Sequence, residues 1–190
     1  MIEVEIKGVP LSLETAPGLF SPRQADQGTL AMLSLVELAP GMKVLDLGCG
    51  CGLVGLLAAK KCGEGNVVMC DIDPLAVDVA RKNALRNGVG GVKIVLSDGF
   101  RALDDAGFDL ILSNPPYQSD FSVAKGFIEK GFNRLKLGGR MVMVTKRRDW
   151  YRNKLIAIFG GVKIREVDGY FVFEAQRRGA SYAGKRGFIK

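Results

Sequence analysis

The chain has 190 residues and a net charge of +7; nearly half are hydrophobic and a quarter charged, which suits one globular domain and excludes a disordered chain. It holds no histidine, which excludes Ser-His-Asp and Cys-His catalysis, and no apolar run of the ~18 residues a membrane span needs. Residues 1–145 carry 15 Lys and Arg against 16 Asp and Glu, whereas residues 146–190 carry 12 against 4.

The opening MIEVEIKGVP lacks the basic-then-apolar order of a secretory signal, so a cytoplasmic protein is expected. A helix is predicted over 29–38 (TLAMLSLVEL), stopping before Pro40-Gly41. Strand-length apolar runs follow at 42–48, 66–72, 92–98, 108–114 and 139–145, each ending on a polar residue or glycine. Between them, 53–63 reads as a helix closing on Gly63, and Asp73-Pro74 opens another that Gly88 stops. VKIREV and YFVFEAQ flank Asp168-Gly169, a hairpin signal. Continuous rather than alternating apolar runs predict strands buried on both faces. The expected fold is α/β and doubly wound, a mostly parallel seven-stranded sheet ending in an antiparallel hairpin. No repeat or long linker divides it: 1–178 reads as one domain and 179–190 as a mobile basic tail. The basic end is either a solubilising surface or a mark of a polyanionic partner.

VLDLGCGCGLVG carries Gly50, Gly52 and Gly55 in the GxGxxG spacing between a strand and a helix, with Gly48 just before them. Asp71 ends the next strand, placed for ribose hydroxyls, so an adenosine cofactor is expected. Asp46 separates the candidates. Its carboxylate would repel a dinucleotide pyrophosphate and attract an ammonium or sulfonium, or else it fixes the loop through backbone hydrogen bonds. The strand ends Asp46, Asp71, Asp98 and Asn114 all fall on one edge of the predicted sheet, where open α/β folds bind ligands. Cys49-x-Cys51 hints at zinc. Without histidine or a second pair at ligand spacing no metal is expected, and Cys49, Cys51, Cys62 and Cys70 read as reduced packing thiols.

Asn114-Pro115-Pro116-Tyr117 follows the fourth strand. Prolines remove backbone donors and leave carbonyls. The Asn114 oxygen and the Pro115 carbonyl can together grip the two hydrogens of a planar –NH2 group and favour the pyramidal form whose lone pair faces a methyl donor. Tyr117 offers a stacking face for a planar substrate. The alternative is a rigid proline turn with a buried tyrosine.

On these motifs the chain resembles the class I S-adenosylmethionine-dependent methyltransferases over nearly its full length. More narrowly, GLFSPRQADQGT (18–29), SDGF, SNPPY and YFVFEAQRR are similar to the catalytic domain of small-subunit ribosomal RNA guanine-N2 methyltransferases. The resemblance implies S-adenosyl-L-methionine as cofactor and RNA, ribosomal RNA or an assembling small subunit, as partner. It implies that Gly48, Cys49, Gly50 and Gly52 hold the methionine part, Asp71 the ribose with Ile72 beside it, and Asp98 the adenine amino group with Gly99 beside it. Phe20, Ser21, Asp26, Gly28 and Thr29 would close over the cofactor, and Asn114, Pro115 and Tyr117 would serve catalysis. That family often has phenylalanine then histidine after the prolines, where Tyr117 and Gln118 stand here. The tyrosine form is similar also to adenine-N6 and release-factor glutamine methyltransferases. Many ribosomal relatives carry a further N-terminal domain, so this chain's own basic end is expected to do more of the RNA holding. A nicotinamide oxidoreductase and a non-catalytic RNA-binding module are the competing readings, opposed by Asp46 and Asn114 respectively.

Overall fold

A computed structural model describes residues 1–17, 19, 25–116 and 120–186. The chain opens with a two-stranded antiparallel hairpin, β1 (Ile2–Ile6) and β2 (Val9–Leu13). Then come α1 (Gln27–Leu35), β3 (Val44–Leu47), α2 (Leu53–Cys62), β4 (Val67–Asp71), α3 (Pro74–Arg86), β5 (Lys93–Leu96) and β6 (Phe108–Ser113). It ends with α4 (Phe121–Arg134), β7 (Leu135–Thr145), α5 (Arg148–Phe159), β8 (Lys163–Val167), β9 (Tyr170–Gln176) and the short α6 (Ala183–Arg186). Among the described residues one sheet has seven strands in the order β5-β4-β3-β6-β7-β9-β8. The first five run parallel, and β9 runs antiparallel to both β7 and β8, as expected.

The continuous apolar runs arise because both faces of the sheet are covered. Val44, Leu110 and Leu112 pack with α1, α2, α3 and the hairpin in one core layer. Leu45, Leu47 and Ile111 pack with α4 and α5 in the other. Alternate residues of one strand therefore enter two different cores.

Helices α4 and α5 have no counterpart among the predicted elements, and three further features depart from expectation. The helix predicted over 29–38 is Gln27–Leu35, because the Asp26 side chain caps it by accepting from the Thr29 N–H. The N-terminal hairpin was not foreseen. It is clipped to α3 by two asparagines: Asn83, fully buried, accepts from the Glu14 N–H and donates to the carbonyls of Glu14 and Cys51. Asn87 brackets the Ser12 backbone in the same way, so a helix face supplies the missing strand neighbour of β2. The segment expected to trail as a tail is docked in its first part. The Tyr182 hydroxyl donates to the Glu129 carbonyl and its ring meets Phe132 edge-on at 5.2 Å. Residues 187–190 lie outside the described residues.

Candidate active site

A cavity of about 340 Å³ opens at the C-terminal edge of β3, β4, β5 and β6, the edge on which the polar strand ends were placed. That volume is within the ~300–1,000 Å³ of small-molecule sites. Its floor is the loop between β3 and α2. Gly48, Gly50 and Gly52 have φ of +80°, +54° and +97°, which L side chains rarely adopt. A β-carbon at Gly48 or Gly50 would meet no protein atom, and both residues line the cavity, so the bare backbone faces that space. Gly52 shapes the loop from behind it, since a β-carbon there would sit 2.9 Å from Met69 Cε.

The amide hydrogens of three of the loop's glycines are already taken. Gly50 N–H donates to Asp71 Oδ2 at 2.8 Å, Gly52 N–H to the Cys49 carbonyl at 2.9 Å, and Gly55 N–H to Asp46 Oδ2 at 2.8 Å. A pyrophosphate-binding loop of the same spacing needs such donors and no carboxylate beside them. This loop is instead tied down by two acids. Asp46 therefore does fix the loop through the backbone, and it also lines the cavity. Burial pushes its carboxyl up to about 7, the Gly55 bond pulling the other way and the charge of Asp71 adding to the rise. Burial likewise pushes the Cys49 and Cys70 thiols up, Cys70 to about 12, which keeps both neutral. Asp71 also accepts from the Asp73 N–H, while Ile72 beside it is 65% exposed on the cavity rim with no core to fill.

Ser97, Asp98 and Gly99 close another side. Asp98 is exposed and faces Arg101 at 3.2 Å. From the end of β6, the strand next to β3, come Asn114, Pro115 and Pro116, which line the same cavity as the glycine loop. Asn114 Nδ2 donates to Asp26 Oδ1 at 2.6 Å and to Thr29 Oγ1 at 3.0 Å, so the start of α1 joins the same wall. Of the residues singled out in the sequence, Gly28 is buried inside the first turn of α1 and, like Gly52, does not line the cavity. Phe20, Ser21 and Tyr117 lie outside the described residues. The sequence reading missed Val123 and Phe127 of α4, and Ile2 and Leu13 of the N-terminal hairpin, all of which line the cavity. Among the described residues, no group of three or more Cys, Asp or Glu is placed to hold a metal, and no helix is long and apolar enough to cross a membrane.

A family model described as the methyltransferase small domain matches residues 10–174. Ribosomal RNA small subunit methyltransferase C of Pseudomonas putida is 29% identical over 180 residues, covering 92% of this chain and 54% of that protein. The same enzyme of Pseudomonas entomophila is 30% identical over 92% of the chain. Among solved structures, the T. thermophilus 16S rRNA N2 G1207 methyltransferase, determined with AdoMet and guanosine, superposes with a TM-score of 0.84 at 30% identity. That superposition covers 93% of this chain and 50% of the other. TrmN from Thermus thermophilus superposes with a TM-score of 0.70 at 26% identity, over 83% of this chain and 51% of TrmN. The chain thus spans about half the length of these relatives.

Proposed function

The chain belongs to the methyltransferase small domain family, and from that premise we propose that it moves a methyl group from S-adenosylmethionine to the exocyclic amino nitrogen of an RNA base, guanine-N2 of ribosomal RNA. The observation that carries the reading is one shared cavity: Asn114-Pro115 line it together with a glycine loop in which the Gly50 and Gly55 N–H groups are held by Asp71 and Asp46.

The residues fit this cofactor better than a dinucleotide. The bare Gly48 and Gly50 backbone admits close approach, and the acids Asp46 and Asp71 suit a cationic ligand free of phosphate. Val123 and Phe127 give the cavity an apolar side that a purine can occupy. When bound, S-adenosylmethionine supplies a methyl group made electrophilic by its sulfonium. The chain's own part is to hold the nucleophile. The Asn114 oxygen and the Pro115 carbonyl accept the two amino hydrogens and turn the nitrogen lone pair towards the methyl carbon. The departing proton needs no imidazole, which agrees with a chain that has none.

RNA as the partner is supported by the rim. Ser113 of β6 pairs with Met143 of β7, so Lys146, Arg147 and Arg148 emerge three to five residues later on the same sheet edge as Asn114. All three are exposed. Arg147 lies over the Phe121 ring at 5.1 Å, and Phe121 stacks on Trp150 at 4.3 Å, giving cations and aromatic faces side by side. An RNA substrate implies a cytoplasmic protein.

The test combines two measurements. S-adenosylmethionine at ~100 times its dissociation constant raises the unfolding free energy by about 2.7 kcal/mol, and NAD does not. Tritium from labelled S-adenosylmethionine then appears as N2-methylguanosine in unmodified small-subunit RNA. Equal stabilisation by NAD overturns the cofactor, and transfer only to a release-factor glutamine overturns the substrate.

A further inference from the structure

A carboxamide has nearly the same shape whichever way it is turned, but its two ends do opposite things. If the Asn114 amide were flipped, its –NH2 would meet the amino group to be methylated, donor against donor. Something must hold it the right way round, and the structure supplies a candidate. Asp26 Oδ1 lies 2.6 Å from Asn114 Nδ2, and Thr29 Oγ1 lies 3.0 Å from the same nitrogen. The Thr29 hydroxyl donates to Asp26 Oδ1 at 3.1 Å, which leaves its oxygen lone pairs to accept from Asn114. A carboxylate only accepts, so the nitrogen must face Asp26 and the Asn114 oxygen is held on the other side of the amide.

We propose that Asp26, assisted by Thr29, is a positioning residue for methyl transfer: it fixes the Asn114 amide with its oxygen presented to the substrate amino group. The inference rests on the function proposed above. The Asp26–Asn114 bond is charge-assisted, of a strength that biases the amide orientation about 10- to 100-fold. The carboxylate also polarises the amide, drawing electron density to the acceptor oxygen. Asp26 stands 88 residues before Asn114, and the α1 start that carries it also lines the cavity. Correct orientation of the amide is thereby coupled to the docking of that helix.

Asp26 also caps α1 through the Thr29 N–H at 2.8 Å, so Asp26→Ala would confuse two effects. Asp26→Ser keeps a capping oxygen on a side chain one bond shorter than needed for Asn114, and Asp26→Asn keeps both acceptor roles. Two readouts are combined. In ¹H–¹⁵N spectra the Asn114 –NH2 pair, identified by its loss in Asn114→Ala, shifts and exchanges faster with solvent in Asp26→Ser, and stays near its wild-type position in Asp26→Asn. In single turnovers with saturating tritiated S-adenosylmethionine and unmodified small-subunit RNA, Asp26→Ser lowers the rate about 10- to 100-fold. In an Asn114→Ala background it causes no further loss. The same fractional loss in both backgrounds, or an Asn114 signal unmoved by Asp26→Ser, overturns the proposal. If the wild-type chain methylates no RNA, the functional reading falls, and the Asn114 signal alone then decides the orientation claim either way.

Discussion

Two side chains on the cavity wall act through quite different physics. Asn114 is a neutral acceptor whose worth appears only when the reacting nitrogen changes shape, so Asn114→Ala should lower turnover by about 10²–10³ while S-adenosylmethionine affinity stays near wild type. Rapid-quench turnover beside calorimetric cofactor binding checks this, and wild-type turnover would reduce the proline turn to a structural element. Asp46 is a buried acid, 3% exposed, whose carboxyl is raised from 3.8 to about 7. The folded state then holds its proton more firmly than the unfolded chain does. That contribution to stability is complete below pH about 4 and is lost as pH climbs through about 7. Asp46→Asn keeps an acceptor for the Gly55 N–H and removes the titration. Urea unfolding of the free protein from pH 4 to 8 should therefore show the wild type losing stability relative to Asp46→Asn across that window. Parallel curves for the two proteins would mean that Asp46 titrates as it does when unfolded.

Element by element, the glycines are where sequence and structure speak most plainly to each other. Gly55 lies in α2, where alanine would ordinarily be favoured by about 1 kcal/mol. A β-carbon there collides with Met69 of β4, reaching its Sδ at 2.6 Å, and Met69 is fully buried. Gly55→Ala should thus cost about 1–3 kcal/mol by overpacking, and should become neutral or stabilising in a Met69→Ala background. Thermal unfolding of the four proteins of this cycle checks it; a gain in Tm from Gly55→Ala alone would show that helix and sheet have room. The same closeness made the β3–α2 unit readable, because only glycine satisfies it. The two hairpins show the converse. Asp168-Gly169 and Lys7-Gly8 have nearly the same backbone, φ of +50° and +78° against +52° and +75°. The first was legible because aspartate tolerates positive φ; the second was not, because lysine stands where a turn residue is expected. The apolar alternation of Ile2, Val4 and Ile6 was the signal available. Helix α4 was hidden for a related reason. Gly131 reads as a breaker, yet it lets α4 close on β7, since a β-carbon there would collide with Met141. With α4 unread, Val123 and Phe127 of the cavity could not be found.

Over the whole molecule, charge was legible in amount but not in use. Of the basic residues in 146–190, Arg177 donates to the backbone carbonyls of Leu135, Gly179 and Ala180, and Lys154 pairs with Glu129. Lys163 faces Glu174 at 3.8 Å. These charges serve the fold, and no sequence pattern separates them from those that meet a polyanion. Lys146, Arg147 and Arg148 are the exposed group that the β7–α5 junction brings to the edge bearing Asn114. If they contact phosphates, RNA binding releases counterions, and each contact contributes a slope of about −0.7 in log K against log salt for a single strand. Reversing all three to glutamate should flatten the slope by about 2 and weaken binding at low salt most, with cofactor affinity unchanged because none of them lines the cavity. Arg177→Gln should instead lower Tm and leave the slope alone. Truncation before Gly179 is a poorer probe of the same idea, since it removes the Tyr182 contacts with Glu129 and Phe132 along with the charge. A triple reversal that kept the wild-type salt slope would move the phosphate-binding surface elsewhere on the molecule. A slope lost together with methyl transfer, cofactor binding being intact, would place the RNA path over the Lys146–Arg148 rim and into the cavity beside Asn114.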